Sequence, residues 1–473
     1  MSETTSAISK QEPHSVDYFI QEIRNALDSV PSAKASASQA IELTTKGELP
    51  SAFAVTELAT ASIASAGQAL SELIENSGVE APTLTVDRRL SSFWFDSSVR
   101  PCGWTLPPSW DDIAGVYQTA DGWIRLHTNA PLHRKAALTV LGTAADKAAI
   151  SKAVLSWQSE DLENAVVEKN GCAAVMRNRQ SWQAHPQGQA VSNEQLVHVQ
   201  THVADGKQHW KINPSRPLQG IRVLDLTRII AGPVATRFLA GYGADVLRID
   251  PPEWDEPSLL AELTIGKRRS RLDLKNPEDR THFEQLLSEA DVLVHGYRAD
   301  ALTVLGLNAE RRRELNPALI DVSLNAYGHS GPWQYRRGFD SLVQMSCGIA
   351  DFGMHHYGKT QPTPLPVQAL DHATGYMVAA AVIRGLQQRY LHGLGSEMRL
   401  SLARTAELLI AGSLPKQTGV NFTSETDTDF IPSPEATVWG SMQRLLPPLK
   451  IQGAPMQWDK AAGFLGIDRA SWR

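Results

Sequence analysis

The chain has 473 residues, 42% of them hydrophobic, and a formal net charge of −6. That length has room for two or three domains with real cores. The mild acidity gives no reason to expect nucleic acid or an anionic membrane as the main partner. No apolar run approaches the roughly 20 residues of a membrane span. The opening stretch, MSETTSA, lacks the basic and apolar regions of a signal peptide. Cys102, Cys172 and Cys347 are odd in number and widely spaced, which argues against a disulfide framework or a zinc site. A cytoplasmic protein with reduced thiols and no metal is expected.

Residues 1 to about 14 are polar and expected to be disordered. Tyr18, Ile20, Ile23, Ala26 and Leu27 then recur at helical spacing within residues 16–30. Residues 52–74 form a second helical stretch, rich in Ala and Ser and followed by Gly78. Residues 1–80 thus read as an N-terminal helical segment without visible chemistry. Residues 81–205 hold Trp94, Trp104, Trp110, Trp123, Trp157 and Trp182. They suggest a small α+β domain with an aromatic core or a ligand-facing wall. Within them, 114–126 reads as strand, Asp-Gly turn, strand. Helices are expected over 133–141 and 159–169, and a short strand over 172–176. Gly206, Pro214 and Pro217 mark a linker, taken as residues 206–216.

Beyond the linker the pattern becomes βαβ. Residues 221–226, IRVLDL, read as a buried parallel strand. A short helix over 233–240 follows, with Pro233 suited to its first turn. Residues 245–249, 290–294 and 319–323 read as three more strands, with helices starting near Pro277 and Asn308. The expected fold class is α/β: a Rossmann-like open parallel sheet over 217–420, a smaller α+β domain before it, and residues 421–473 returning to the large domain. The turn after the first strand, TRIIAGP, is not GxGxxG, which argues against NAD or FAD bound in the usual way. Walker A, HExxH and GxSxG motifs are absent from the sequence as well.

Pro362, Pro364 and Pro366 hold an extended approach to residues 370–389, an apolar run with almost no charge before Arg384. This reads as a helix buried on most sides. Asp371 falls where its N-cap belongs. Unpaired N–H groups and the positive end of the helix dipole would keep the carboxylate ionised there. A cap and nothing more is the plain alternative. Asp340 reads as a cap for a helix from Leu342, with catalysis as its alternative. His372 points away from Asp371 and reads as structural. Lys267, Arg268, Arg269, Arg271 and Lys275 form a basic run, either a solvated face or a phosphate site. Residues 327–332, YGHSGP, form a turn-rich loop at a strand's end, where open α/β sheets bind ligands.

Taken in order, these residues resemble the class III CoA-transferases, the CaiB/BaiF family. The matching stretches are LQGIRVLDLTR ending at Arg228, then Ala231-Gly232-Pro233, GADVLRIDPP from Gly243, and Lys267-Arg268 leading to LDLK. ADVLV from Ala290, LGL at 305–307, LNP at 315–317, YGHSGP from Tyr327, and GFD at 338–340 with Gln344 follow. The resemblance implies an acyl-CoA:carboxylate CoA-transferase, with CoA as substrate and no permanently bound cofactor. It places the nucleophile at Asp371. It places CoA contacts at Arg228, Ala231, Gly232, Lys267, Arg268, Arg298, Tyr327 and Gly328. It also implies a homodimer, with no nucleic-acid or membrane partner.

Residues 116–175 resemble the family's small domain, which usually follows the large one and here precedes it. Residues 447–453 resemble the family's closing strand. The small domain is therefore expected to pack over the sheet edge holding Asp371, with Trp123 or Trp182 near the pocket mouth. Phe339 stands where the racemase branch has His, Ile230 where formyl-CoA transferase has Gln, and Val304 where an Arg is common. A racemase or isomerase is the second reading, weakened by Phe339. An acyl-CoA-binding protein without catalysis is the third.

Overall fold

The computed structural model describes residues 16–28, 41–204, 210–298, 300–412 and 420–472. The polar stretch 1–14 and residues 206–209 of the expected linker lie outside them. Seven strands form the main sheet, in the order Lys267–Arg271, Asp245–Asp250, Arg222–Leu226, Val292–His295, Ile320–Asn325, Leu394–Ser401 and His198–Val203. The first six are mutually parallel and the last is antiparallel. Numbered along the chain, the parallel strands lie 3-2-1-4-5-6, the Rossmann order. Its reversal point falls between Arg222–Leu226 and Val292–His295.

Alternation along the strands sends side chains to two buried faces. Val223, Val246, Val294 and Val322 meet the helices Ala231–Gly241 and Ala369–His392 on one face. Leu224, Leu247, Ile249 and Leu293 pack on Phe283, Leu286 and Leu287 of the Pro277–Ser288 helix on the other. Burial on both sides is why these strands read as nearly continuous apolar runs.

The Ala369–His392 helix is the centre of the molecule, buried from Ala369 through Arg389. It lies between the sheet and the Val55–Glu75 helix, itself buried from Val55 through Ile74. Small side chains permit the close approaches this needs. A Cβ at Gly385 would come within 2.6 Å of Ile320, and one at Gly375 within 2.4 Å of the Ala231 carbonyl. Gly393, in the left-handed region at φ 67°, ends the helix.

The two ends of the chain meet. Ile41–Thr44, Leu84–Asp87 and Leu449–Ile451 form one three-stranded sheet. Residues 84–101 thus pack with the N-terminal and C-terminal segments, across the expected boundary at residue 81. The Glu262 carboxylate joins three segments, accepting from Arg237 Nη1, Ser98 N and Ser98 Oγ, while Arg444 Nη1 donates to Ser98 Oγ. Residues 460–472 run along the outer edge strand, where Arg269 and Asp468 exchange backbone and side-chain bonds.

A separate antiparallel sheet holds Gly115–Gln118, Trp123–Leu126 and Ala173–Val175. Ile124 and Leu126 face a core with Tyr117, Ile150, Leu162 and Val166. The unit docks on the Asp340–Ser346 helix, where Cys172 and Ala174 meet Leu342 and Met345. Among the described residues no helix is long and apolar enough to cross a membrane.

Candidate active site

A helix of apolar residues needs something at its start to satisfy its first N–H groups. Asp371 does not supply it. The helix begins at Ala369 with Gln368 as N-cap, so Asp371 is its third residue. The cap comes from another element. Asp340 Oδ2 accepts from Leu370 N at 2.8 Å and Asp371 N at 3.0 Å. Asp340 is the first residue of its own helix, whose N-cap is Phe339. It therefore caps the neighbouring helix, not the one expected. Gln344 completes the arrangement, donating Nε2 to Asp340 Oδ1 and accepting from Leu365 N at 2.7 Å. The proline-rich approach is thereby tied to the start of the Asp371 helix.

This corrects the expectation that Asp371 is held ionised. Its carboxyl is 7% exposed, and among the described residues it has no hydrogen-bond or cationic partner. Burial, and then the charge of Asp340, push it well above the ordinary carboxylate range. Burial raises Asp340 as well, to about 6, against the N–H groups of Asp371 and Leu370, the Gln344 amide and the Arg125 guanidinium. Both carboxyls are thus held above the ordinary range, and among the described residues only Asp340 has hydrogen-bond donors that oppose the shift.

Ala231 meets the Asp371 helix one turn further on. Gly375, one turn beyond Asp371, rests on the Ala231 carbonyl, and Gly232 packs so closely on Thr227 that a Cβ would sit 2.3 Å from it. The loop before them is strained. Ile229 has φ 66°, unusual for a β-branched residue, and its N–H donates to Glu256 Oε2 at 2.9 Å. Arg228 lies at the sheet's reversal point, its guanidinium 4.4 Å from the Trp254 ring and 4.8 Å from Tyr297. Its Nε is buried without a hydrogen-bond partner. Arg298 follows Tyr297 and pairs with Asp300 at 2.6 Å, both one-third exposed.

Four of the expected CoA contacts are engaged by other parts of the chain. Lys267 Nζ is buried and donates to Asp225, Thr236 and the Pro233 carbonyl. All three of its protons are engaged. Arg268 pairs with Asp245 through Nε and Nη2 and donates Nη1 to the Ser471 carbonyl. Residues 267–271 of the basic run form an edge strand under the C-terminal segment, and Lys275 is exposed beyond it. Tyr327 and Gly328 are buried. Gln187 Nε2 donates to the Tyr327 carbonyl, and Glu194 Oε2 would sit 2.8 Å from a Gly328 Cβ. Glu194 also accepts from His329 N and Ser330 N. The loop is thus filled from the Pro186–Asn193 helix side.

Trp182 is 1% exposed, stacked on His185, with Nε1 bonded to Glu407. Trp123 packs with Leu342 and Phe339. The exposed tryptophan near the pair is Trp110, under the Arg125 guanidinium at 4.6 Å. Arg125 and His127 escaped the sequence reading. The available signal was alternation: Trp123, Arg125 and His127 share the face opposite the core residues Ile124 and Leu126.

Residues 218–434 match the family model described as CoA-transferase family III. An acyl-CoA transferase of Gibberella moniliformis is 29% identical over 59% of this chain and 53% of its own length. Acetyl-coenzyme A transferase nodX of Hypoxylon pulicicidum is 33% identical over 50% of this chain and 40% of its own. The crystal structure of Rv3272 from M. tuberculosis is 31% identical over 41% of this chain and 55% of that chain, with a TM-score of 0.39. The chain spans about half the length of the curated relatives it matches.

Proposed function

We propose that this chain, whose residues 218–434 match the model of CoA-transferase family III, moves CoA between an acyl-CoA donor and a free carboxylic acid, with Asp371 as nucleophile. One observation carries the reading: a buried carboxyl with no cation, at the start of the central helix, beside a second carboxyl that caps that helix.

The Asp371 carboxylate, formed by loss of its proton to bulk water before substrate closes the site, attacks the thioester carbonyl. The C–S bond breaks, CoA leaves as thiolate, and an acyl-aspartyl anhydride forms. The thiolate attacks the aspartyl carbonyl, releasing the first acid and leaving an aspartyl-CoA thioester. The incoming carboxylate attacks that thioester, giving a new anhydride and thiolate. Attack on the substrate carbonyl then forms the new acyl-CoA and frees Asp371. The anhydride survives only where water is excluded, which burial supports. Arg228, at the sheet's reversal point between Trp254 and Tyr297, is proposed to face CoA, with Arg298 next to it.

A racemase is the second reading, favoured by one observation. His127 stacks on Phe339 at 3.8 Å, so an imidazole stands close to where the racemase branch carries its own. Solvent deuterium entering the α-carbon of an acyl-CoA without acid exchange would select it. The family match also supports proposing a homodimer, which light scattering tests, and a cytoplasmic location.

The test is exchange of CoA between an acyl-CoA and a panel of acids, followed by mass. Asp371→Ala is expected to lower exchange by about 10³-fold or more while the fold is kept. Hydroxylamine added during turnover is expected to label Asp371. Normal turnover by Asp371→Ala overturns the reading.

A further inference from the structure

We propose that Glu256 is a positioning residue for CoA binding: it clamps Ile229 in a left-handed backbone conformation and thereby seats the neighbouring Arg228 guanidinium between Trp254 and Tyr297. The proposal rests on the CoA-transferase reading, in which Arg228 faces CoA, and names the residue that sets that contact.

The turn 227–230 joins the strand Arg222–Leu226 to the Ala231–Gly241 helix at the sheet's reversal point. Both of its ends are fixed. Thr227 donates its N–H at 2.9 Å and its hydroxyl at 2.5 Å to Asp225 Oδ1. The Ala231 carbonyl is held against Gly375 of the central helix, where a Cβ would sit 2.4 Å away. The middle has no such local support. Ile230 is the N-cap of the helix without a side-chain bond, and Ile229 stands at φ 66°. A β-branched side chain in that region crowds its own backbone. Left to itself the turn would relax to negative φ, so its conformation is imposed from outside.

Glu256 imposes it. Its Oε2 accepts from Ile229 N at 2.9 Å, while Oε1 stands 2.6 Å from Arg248 Nη2 in an ion pair. Arg248 is itself fixed by Asp250 through Nε and Nη2. Arg248 is fully buried and Glu256 is 6% exposed. The carboxylate is thus anchored on the strand Asp245–Asp250 and reaches across to the turn after Arg222–Leu226. Oε2 also accepts from Trp254 Nε1 at 3.2 Å, which orients the ring that lies 4.4 Å from the Arg228 guanidinium. One carboxylate therefore sets both the backbone that follows Arg228 and one of the two rings that enclose its side chain. Tyr297 is the other ring, at 4.8 Å. Arg228 forms no ion pair among the described residues, and its Nε is buried without a hydrogen-bond partner. Buried polar atoms in folded proteins are almost always bonded, so the clamp holds a cation in readiness for an anion. Loss of the clamp frees Ile229 to relax and moves Arg228 from its slot. Asp371 stays in place, because Ala231 remains held on its helix. The effect therefore falls on CoA binding and not on the chemical step.

The experiment uses the full chain. CoA affinity is measured by calorimetry, and KM and kcat for CoA exchange are followed by mass. The variants are Glu256→Ala, Glu256→Asp and Glu256→Gln, and the first two again with Ile229→Gly, each checked for folding by circular dichroism. Glu256→Ala is expected to weaken CoA binding and raise the acyl-CoA KM by about tenfold or more, with kcat within about threefold of wild type. Glu256→Asp keeps a charge for Arg248 but is one methylene shorter toward Ile229. It is expected to follow Glu256→Ala, and it serves where that variant does not fold. Glu256→Gln keeps an acceptor for the Ile229 N–H and is expected to retain most of the affinity. Glycine takes φ 66° without a Cβ to crowd it, so Ile229→Gly is expected to restore CoA affinity in either weakened background, which a merely structural tie would not do. Unchanged CoA binding in Glu256→Ala and Glu256→Asp, or no recovery with Ile229→Gly, overturns the positioning role and leaves the transferase reading standing. The expected binding pattern without exchange supports the positioning role and overturns the transferase reading. A wild type that binds no CoA overturns both.

Discussion

Asp225 and Asp371 are both buried on the same side of the main sheet, and they meet opposite surroundings. Asp225 accepts from Lys267, from the Thr227 hydroxyl and N–H, and from Thr236. Burial alone would raise it, but Lys267, Arg248 and the threonines overcome that and hold it below the ordinary range. Asp371 has the burial without the cation, and a second carboxylate beside it. The contrast separates a charge that the fold neutralises from one that it leaves uncompensated. A buried carboxyl without a compensating cation costs stability, which is why Asp371 stands out as a candidate.

Removing the cation breaks the contrast most. Lys267→Ala would leave Asp225 buried and unpaired, at an expected cost of about 3–5 kcal/mol in urea unfolding. A loss below about 1 kcal/mol would show that the threonines suffice. At the other aspartate the sign reverses. A carboxyl raised in the folded state binds its proton more tightly there, so its contribution is fullest below the unfolded value and is lost as pH rises through the folded one. Asp371→Asn is therefore expected to be more stable than wild type, by a margin that grows about 1.4 kcal/mol per pH unit from about pH 4 toward the folded value. Melting curves from pH 5 to 8 check this, and a margin independent of pH would place Asp371 in an ordinary environment. Asp225 runs the opposite way, its contribution present above the unfolded value and lost as acid passes the folded one. The smallest expected effect sharpens the origin of the shift. Asp340→Asn removes the neighbouring charge, so the acid limb of the exchange rate should move to lower pH. An unmoved limb would leave burial as the cause.

The strands that read correctly from sequence were those buried on both faces, such as Arg222–Leu226 and Ile320–Asn325. The strand Lys267–Arg271 was hidden because its buried positions carry cations, each matched by a partner distant in sequence. His198–Val203 was hidden because it is an exposed edge strand with polar residues. At the site, the resemblance pointed to Asp371, and the prolines before it showed where a helix starts. The upward shift of Asp371 was not legible, because it comes from burial in the assembled core and then from Asp340, 31 positions earlier, reaching across to another helix. Arg125 and His127 come from the Trp-rich unit, and the stacking of His127 on Phe339 is a product of docking, not of local pattern.

The sheet of Ile41–Thr44, Leu84–Asp87 and Leu449–Ile451 has a consequence for how the molecule is made. Ribosomes deliver a chain from its N-terminus at about 5–20 residues per second, so roughly 20–70 s separate the second of these strands from the third. The buried face of the Val55–Glu75 helix waits almost as long for Ala369–His392 to be synthesised. The nascent N-terminal segment therefore spends most of translation with an open strand edge and an uncovered apolar helix. Until the second half of its own chain arrives, nothing in that chain covers these surfaces.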